Sequence, residues 1–228
     1  MKKFSIRLFR LILGLFLFAL GIVLCMNAQV GYAPWEVFHA GIAQALGMKI
    51  GMVVIVSGFG FALIGIIFGE KIGIGTLLNV LLIGTFMDIL IAVDILPVME
   101  HFMLGLLMLV LGLFIIALGS YFYIGSGFGA GPRDNLMVVI RKRTNLPIGI
   151  CRGMVELTAF IIGWRLGGMF GIGTILSATG IGYCIQTTFK LLKFDPARIK
   201  HETFHETYRF LFKGQVKADL ESVAETSV

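Results

Sequence analysis

The residues with the strongest claim to chemistry are charges set inside otherwise apolar stretches. Arg152 and Glu156 lie four apart in the run 148–166, a spacing that puts them on one helical face as an ion pair. Charges inside an apolar span are costly and usually face the protein interior or a water-filled cavity. Arg152 is close enough to the end of its run to reach outward along its stem, whereas Glu156 sits deeper. Asp88, in the run 75–95, shares its segment with Thr76 and Asn79. Hydrogen bonds between helices account for the threonine and the asparagine; the aspartate, which can titrate or hold a cation, asks for more.

Two more acids each follow a glycine break and a proline: Glu36 after Gly31-Tyr-Ala-Pro34, and Asp134 after Gly129-Ala-Gly-Pro132. Proline suits the first helical turn and an early carboxylate suits the helix dipole, so both acids fit simple helix starts. The stretches they open are apolar on most sides, and they bring Trp35 and Arg133 with them. Two arrangements fit: helices lying on a membrane surface, or short re-entrant helices dipping into the protein. The second is how many transporters build a midplane site. On that reading Trp35, Glu36, Asp88, Arg133, Asp134, Arg152 and Glu156 are the candidate binding residues, for a small anion or zwitterion.

Other motifs carry less. His201-Glu202-Thr203-Phe204-His205 fits the H-E-x-x-H zinc pattern, but its short polar tail offers no domain to build a cleft. Gly125-Ser-Gly-Phe-Gly-Ala-Gly131 lacks both a preceding strand and the Lys-Ser/Thr of a phosphate loop, so helix breaking explains it better. Cys25, Cys151 and Cys184 show no metal or redox spacing. No catalytic residues, cofactor or metal are expected, and no nucleophile can be paired with a base; an enzyme is not the expectation.

The elements that must position these residues are read from composition and repetition. The 228 residues are 57% hydrophobic and only 14% charged, with mean hydropathy +0.94. A soluble domain is about 25% charged, so the lipid bilayer must be part of this chain's solvent. The net charge of +6 does not call for nucleic acid, because the basic residues flank apolar runs as membrane anchors do. The N-terminus imitates a signal peptide, yet the same segment recurs later in the chain, so a retained first helix is expected.

That recurrence covers most of the molecule. Leu11-Ile-Leu-Gly-Leu-Phe16 aligns with Leu109-Val-Leu-Gly-Leu-Phe114, Gly31 with Gly129, Pro34 with Pro132, and Gly73-Ile-Gly-Thr76 with Gly171-Ile-Gly-Thr174, all at one shift and without a gap. Each half then predicts a span (8–29, 104–125), a short helix (34–46, 132–143) and two more spans (50–69, 75–95; 148–166, 173–192). At about 1.5 Å per residue the short helices reach roughly 20 Å, less than a roughly 30 Å hydrocarbon core, which favours six spans over eight. Three spans per half make the repeats inverted. With the N-terminus inside, Arg133, Arg141, Lys142, Arg143 and the tail fall on the cytoplasmic side, while only Lys49 and Arg165 fall outside. The expected division is 1–98 and 99–193 as two transmembrane repeats, with 194–228 as a cytoplasmic polar tail.

The Gly129-Ala-Gly-Pro-Arg-Asp134 run, the two Gly-Ile-Gly-Thr repeats and Gly31-Tyr-Ala-Pro-Trp35 together resemble the YczE/YyaS/YitT-type bacterial membrane proteins over about residues 5–192. The resemblance implies a protein of the bacterial cytoplasmic membrane and carries over no functional residue. Two functions remain open: a small transporter-like protein binding a solute or ion, and a non-transporting accessory protein that binds lipid, a second copy or another protein.

Overall fold

Glycine and proline set the element boundaries. In the computed structural model residues 2–70, 72–129, 131–196 and 199 are described, and eight helices run through them. They are α1 (Lys2–Asn27), α2 (Pro34–Leu46), α3 (Ile50–Ile67), α4 (Ile74–Val93), α5 (Phe102–Ser126), α6 (Pro132–Thr144), α7 (Ile148–Arg165) and α8 (Ile172–Leu191). Pro34 and Pro132 open the two short helices, and α2, α5 and α6 end on left-handed residues at Gly47, Gly127 and Asn145. The H-E-x-x-H segment at 201–205, and Lys71, which the expected topology puts on the cytoplasmic side, lie outside the described residues.

The helix boundaries follow the register of the sequence repeat. α6, α7 and α8 begin and end at the counterparts of the residues that bound α2, α3 and α4. The halves also trade equivalent contacts. Val30 O accepts from Gly173 N at 2.7 Å, and its counterpart Phe128 O accepts from Gly75 N, the counterpart of Gly173, at 2.8 Å. Gly31 and Gly129 hold φ of +113° and +126°. A side chain on Gly31 would meet the Gly171 backbone and Thr174, and one on Gly129 would meet the Gly73 backbone and Thr76. Glycine is required at both for dihedral and for space.

α1 and α5 cross antiparallel at the centre. A Cβ on Gly14 would lie 2.9 Å from Gly119 O and one on Gly21 would lie 2.7 Å from Gly112 O, with the reverse contacts as close. Small residues let backbones approach where lipid removes the hydrophobic drive between helices. Leu11, Leu15, Ala19, Leu109 and Ala117 are fully buried around this crossing.

Phe9, Ile67, Met103 and Leu107 lie largely exposed on the perimeter. Apolar surface so extensive is foreign to soluble monomers and is what lipid covers. Among the described residues four helices are long and apolar enough to cross a membrane: Phe4–Asn27, Ile50–Ile67, Ile74–Val93 and Phe102–Ser126. α7 and α8 equal α3 and α4 in length at 18 and 20 residues. They are more polar, α7 carrying Arg152, Glu156 and Arg165, and α8 four threonines, Gln186 and Lys190.

The two short helices run from inside to outside. α2 buries Glu36, Val37 and His39 and ends exposed at Leu46; α6 starts on buried Pro132 and ends exposed at Arg141–Thr144. α2 packs chiefly on α7, and α6 in the matching way on α3. Gly41 and Gly163 meet at the first of these crossings, where a side chain on either would strike the other helix's backbone.

Candidate functional site

The starts of α2 and α6 open into one cavity of about 380 Å³ between the two halves of the chain. Pro34, Trp35, Glu36, Pro132, Arg133, Arg152 and Glu156 all line it, so five of the seven residues singled out from sequence meet on its wall. Asp88 stands apart. Its Oδ1 accepts a 2.8 Å hydrogen bond from Gly51 N, tying α4 to the start of α3. Asp134 lies on α6, and its side chain is outside the described residues.

The charges are arranged as two pairs. Arg133 Nη1 is 4.0 Å from Glu36 Oε1, and the guanidinium carbon lies 4.7 Å over the Trp35 ring. Trp35 is held in turn by Phe38, Phe61 and His39, with ring centroids 6.0, 5.4 and 6.2 Å away. This aromatic bed fixes the guanidinium plane, which suits the recognition of planar anions. The second pair is Arg152 Nε to Glu156 Oε1 at 2.8 Å, with the arginine half exposed and the glutamate largely covered.

If that pair is a coupled unit, Arg152→Ala and Glu156→Ala should each lower the thermal unfolding midpoint in detergent more than the double substitution does, because one change leaves an uncompensated charge. Strictly additive losses would mean that Arg152 only reaches outward along its helix.

His39 and Ser177 are not among the candidate binding residues singled out from the sequence. His39 is 1% exposed, with Nε2 3.1 Å from Ser57 Oγ and Nδ1 without a partner among the described residues. Ser177 is also 1% exposed, and among the described residues its hydroxyl has no partner. Both line the cavity. Buried polar atoms left unpaired are uncommon, and a site of this kind is where water or a ligand supplies the missing bond. The signal for His39 was its place three residues after Glu36 on the same face of a short helix.

Ser57, Asn79, Ser120 and Tyr123 also line the cavity, and most of the remaining wall is apolar, with Phe18, Ile22, Ile83, Leu113 and Ile116 among its members. A mostly apolar pocket with a few convergent polar groups is the usual form of a small-molecule site. Among the described residues no group of three or more His, Cys, Asp or Glu is placed to hold a metal ion.

Residues 5–190 match the model of a family described as "Family of unknown function (DUF6198)". The chain belongs to this family. It is 34% identical to the "Uncharacterized membrane protein YczE" of Bacillus subtilis over 193 residues, 81% of this chain and 88% of the relative. An "Uncharacterized protein" of Haemophilus influenzae is 33% identical over 201 residues, covering 88% and 87% of the two chains. The "Uncharacterized protein YyaS" of Bacillus subtilis is 25% identical over 167 residues, 72% of this chain and 83% of the relative. No solved structure matches. This DUF6198 protein is therefore an integral membrane protein of the YczE and YyaS type.

Proposed function

We propose that the protein is a small transporter-like membrane protein whose two halves enclose a binding site for a small anionic or zwitterionic solute. The observation that carries the reading is the shared cavity: both broken-helix starts, two arginines and two glutamates converge there from the two halves of a duplicated chain. Neither α2 nor α6 has a side-chain cap. Their first N–H groups and positive dipole ends face the cavity beside Arg133, an arrangement that attracts anionic groups. Glu36 and Glu156 offer the complementary charge to an ammonium.

The antiparallel α1–α5 crossing and the reciprocal Val30–Gly173 and Phe128–Gly75 bonds support six spans in two inverted repeats, with α2 and α6 re-entrant. Charge supports a cytoplasmic N-terminus. Arg7 bonds Ser126 O, and Lys142 bonds Glu70, so the basic ends of α1 and α6 sit with the end of α5 and the α3–α4 turn. Arg165 closes α7 at the other end, where the Asp94–His101 connection carries no Lys or Arg. The bacterial cytoplasmic membrane is the location this implies.

The test places one cysteine in the cavity, Ser177→Cys, in a chain with Cys25, Cys151 and Cys184 changed to alanine. In oriented membrane vesicles this thiol is expected to react with a small charged methanethiosulfonate from at least one side. Acetate, inorganic phosphate or glycine betaine, tried singly at saturation, is expected to slow the reaction in at least one case. No reaction from either side would mean a dry core, and the accessory-protein reading would replace this one.

A further inference from the structure

The duplication is not expressed equally in its two halves. α3 packs along α4, but no comparable packing joins α7 to α8. In the first half Gly51 and Gly84 meet so closely that a side chain on either would strike the other's carbonyl, and a Cβ on Gly58 would lie 3.0 Å from Val80. Among the described residues nothing lies within 4 Å of a Cβ added to Gly149 or Gly182, the counterparts of Gly51 and Gly84, or to Gly153. The second half keeps the glycines that close a helix pair and holds them apart.

Between α7 and α8 lies a cleft of about 300 Å³ lined by Gly153, Leu157, Phe160, Phe170, Ile175 and Thr179. Leu157 and Ile175 are each 58% exposed, so the cleft opens on the apolar perimeter of the helices and not at a loop end. Inside, Pro34, Glu156 and Ala178 line both the cleft and the charged cavity. The lipid-facing cleft and the charged cavity therefore adjoin across these three residues.

We infer that the α7–α8 cleft is a lateral entrance from the bilayer, and that the solute is a membrane-borne amphiphile with an anionic or zwitterionic head. This rests on the solute-cavity reading above and names its substrate class. The head sits among Arg133, Glu36, Arg152 and Glu156, and the hydrocarbon chain leaves through the cleft past Leu157, Phe160 and Ile175. Hydrocarbon is the occupant because a soluble ion gains nothing from an apolar side mouth, whereas an alkyl chain stays solvated by apolar groups along the whole route. A second copy or the chain's own C-terminal tail would cover the cleft without using its connection to buried charges. The α3–α4 pair supplies the shape of the shut entrance.

The experiment uses the full chain in phosphatidylcholine nanodiscs doped with a lysophosphatidylcholine that carries a photoactivatable diazirine in mid-chain. After illumination, labelled positions are read by peptide mass spectrometry. Label on Leu157, Phe160 and Ile175 is expected to exceed that on the outward face of α3 at Phe59 and Ile66 by about tenfold, the ratio that 1.4 kcal/mol of preferential binding gives. Gly153→Trp, which fills the cleft, should bring the two faces level. Should that variant misfold, Gly153→Cys with Ala178→Cys, both on the cleft wall, in the cysteine-free chain is expected to shut the cleft on oxidation and reopen it on reduction, with the same change in label.

Equal label on both faces of the unaltered protein, or enrichment that survives closure, overturns the entrance. So does a cross-link that joins the cleft to the tail or to a second copy in place of the lipid. Ser177→Cys reactivity, measured in the same samples, separates the two readings. If that thiol still reacts and is protected by a soluble zwitterion while the amphiphile shows no enrichment, the solute cavity stands and the lateral route falls. If the thiol is silent, the cavity itself falls.

Discussion

Gly84→Leu is expected to destabilise the protein by about 1–3 kcal/mol, while Gly182→Leu, at the matching position of the repeat, should stay within about 0.5 kcal/mol of the parent. At Gly84 the new side chain meets the Gly51 carbonyl and Ile55. Backbone cannot step aside as a flexible side chain can, so the loss should fall at the upper end of that range. α4 would be pushed from α3, and the Asp88 bond to Gly51 N would go with it. At Gly182 the added side chain meets no described atom within 4 Å of its Cβ. Gly51→Leu and Gly149→Leu should repeat the contrast. Unfolding midpoints in one detergent, read by near-ultraviolet dichroism, decide it. Equal losses in both members of each pair would mean that α7 and α8 spend most of their time as closely packed as α3 and α4.

That contrast also marks where sequence stops being informative. Helix boundaries were legible because prolines and glycines fix them: Pro34 and Pro132 open α2 and α6 where expected, and α3, α4, α7 and α8 end within about two residues of the expected bounds, as such boundaries usually do. The convergence of Trp35, Glu36, Arg133, Arg152 and Glu156 was legible because charge and aromatic residues inside apolar runs must face one another or water. The open α7–α8 pair was not. Its glycines are the same as those of the closed pair, and what differs is which residue stands between them. Glu156 replaces Gly58, Gly153 replaces Ile55, and Ala178 replaces Val80. Those exchanges exchange a filled seam for a carboxylate and a gap, and only the placement of the helices reveals it. Asp88 lies outside that convergence: its carboxylate accepts from a backbone N–H at the close α3–α4 crossing.

Arg133→Ala is expected to cost about 3 kcal/mol, and most of that loss should return in the double variant Arg133→Ala with Glu36→Gln. Glu36 is 7% exposed on a wall it shares with Glu156, and Arg133 is its nearest described cation. Removing the arginine leaves two carboxylates with Arg152 alone, among the described residues lining the cavity, to balance them, and Arg152 is already engaged by Glu156 at 2.8 Å. The 4.0 Å separation and partial exposure of Arg133 set the cost at the lower end of what breaking a buried pair usually takes. Glutamine keeps the shape of Glu36 without its charge, which is why the double variant should recover. Arg133→Lys keeps the charge but cannot lie flat over Trp35, and should lose only about 1 kcal/mol. Denaturant titration of the four proteins in lipid-doped micelles separates the contributions. Equal instability of the single and double variants would assign Arg133 to packing on Trp35 and remove the charge pair from the site; recovery in the double would leave an electrostatic cavity that a bound anion or zwitterion completes.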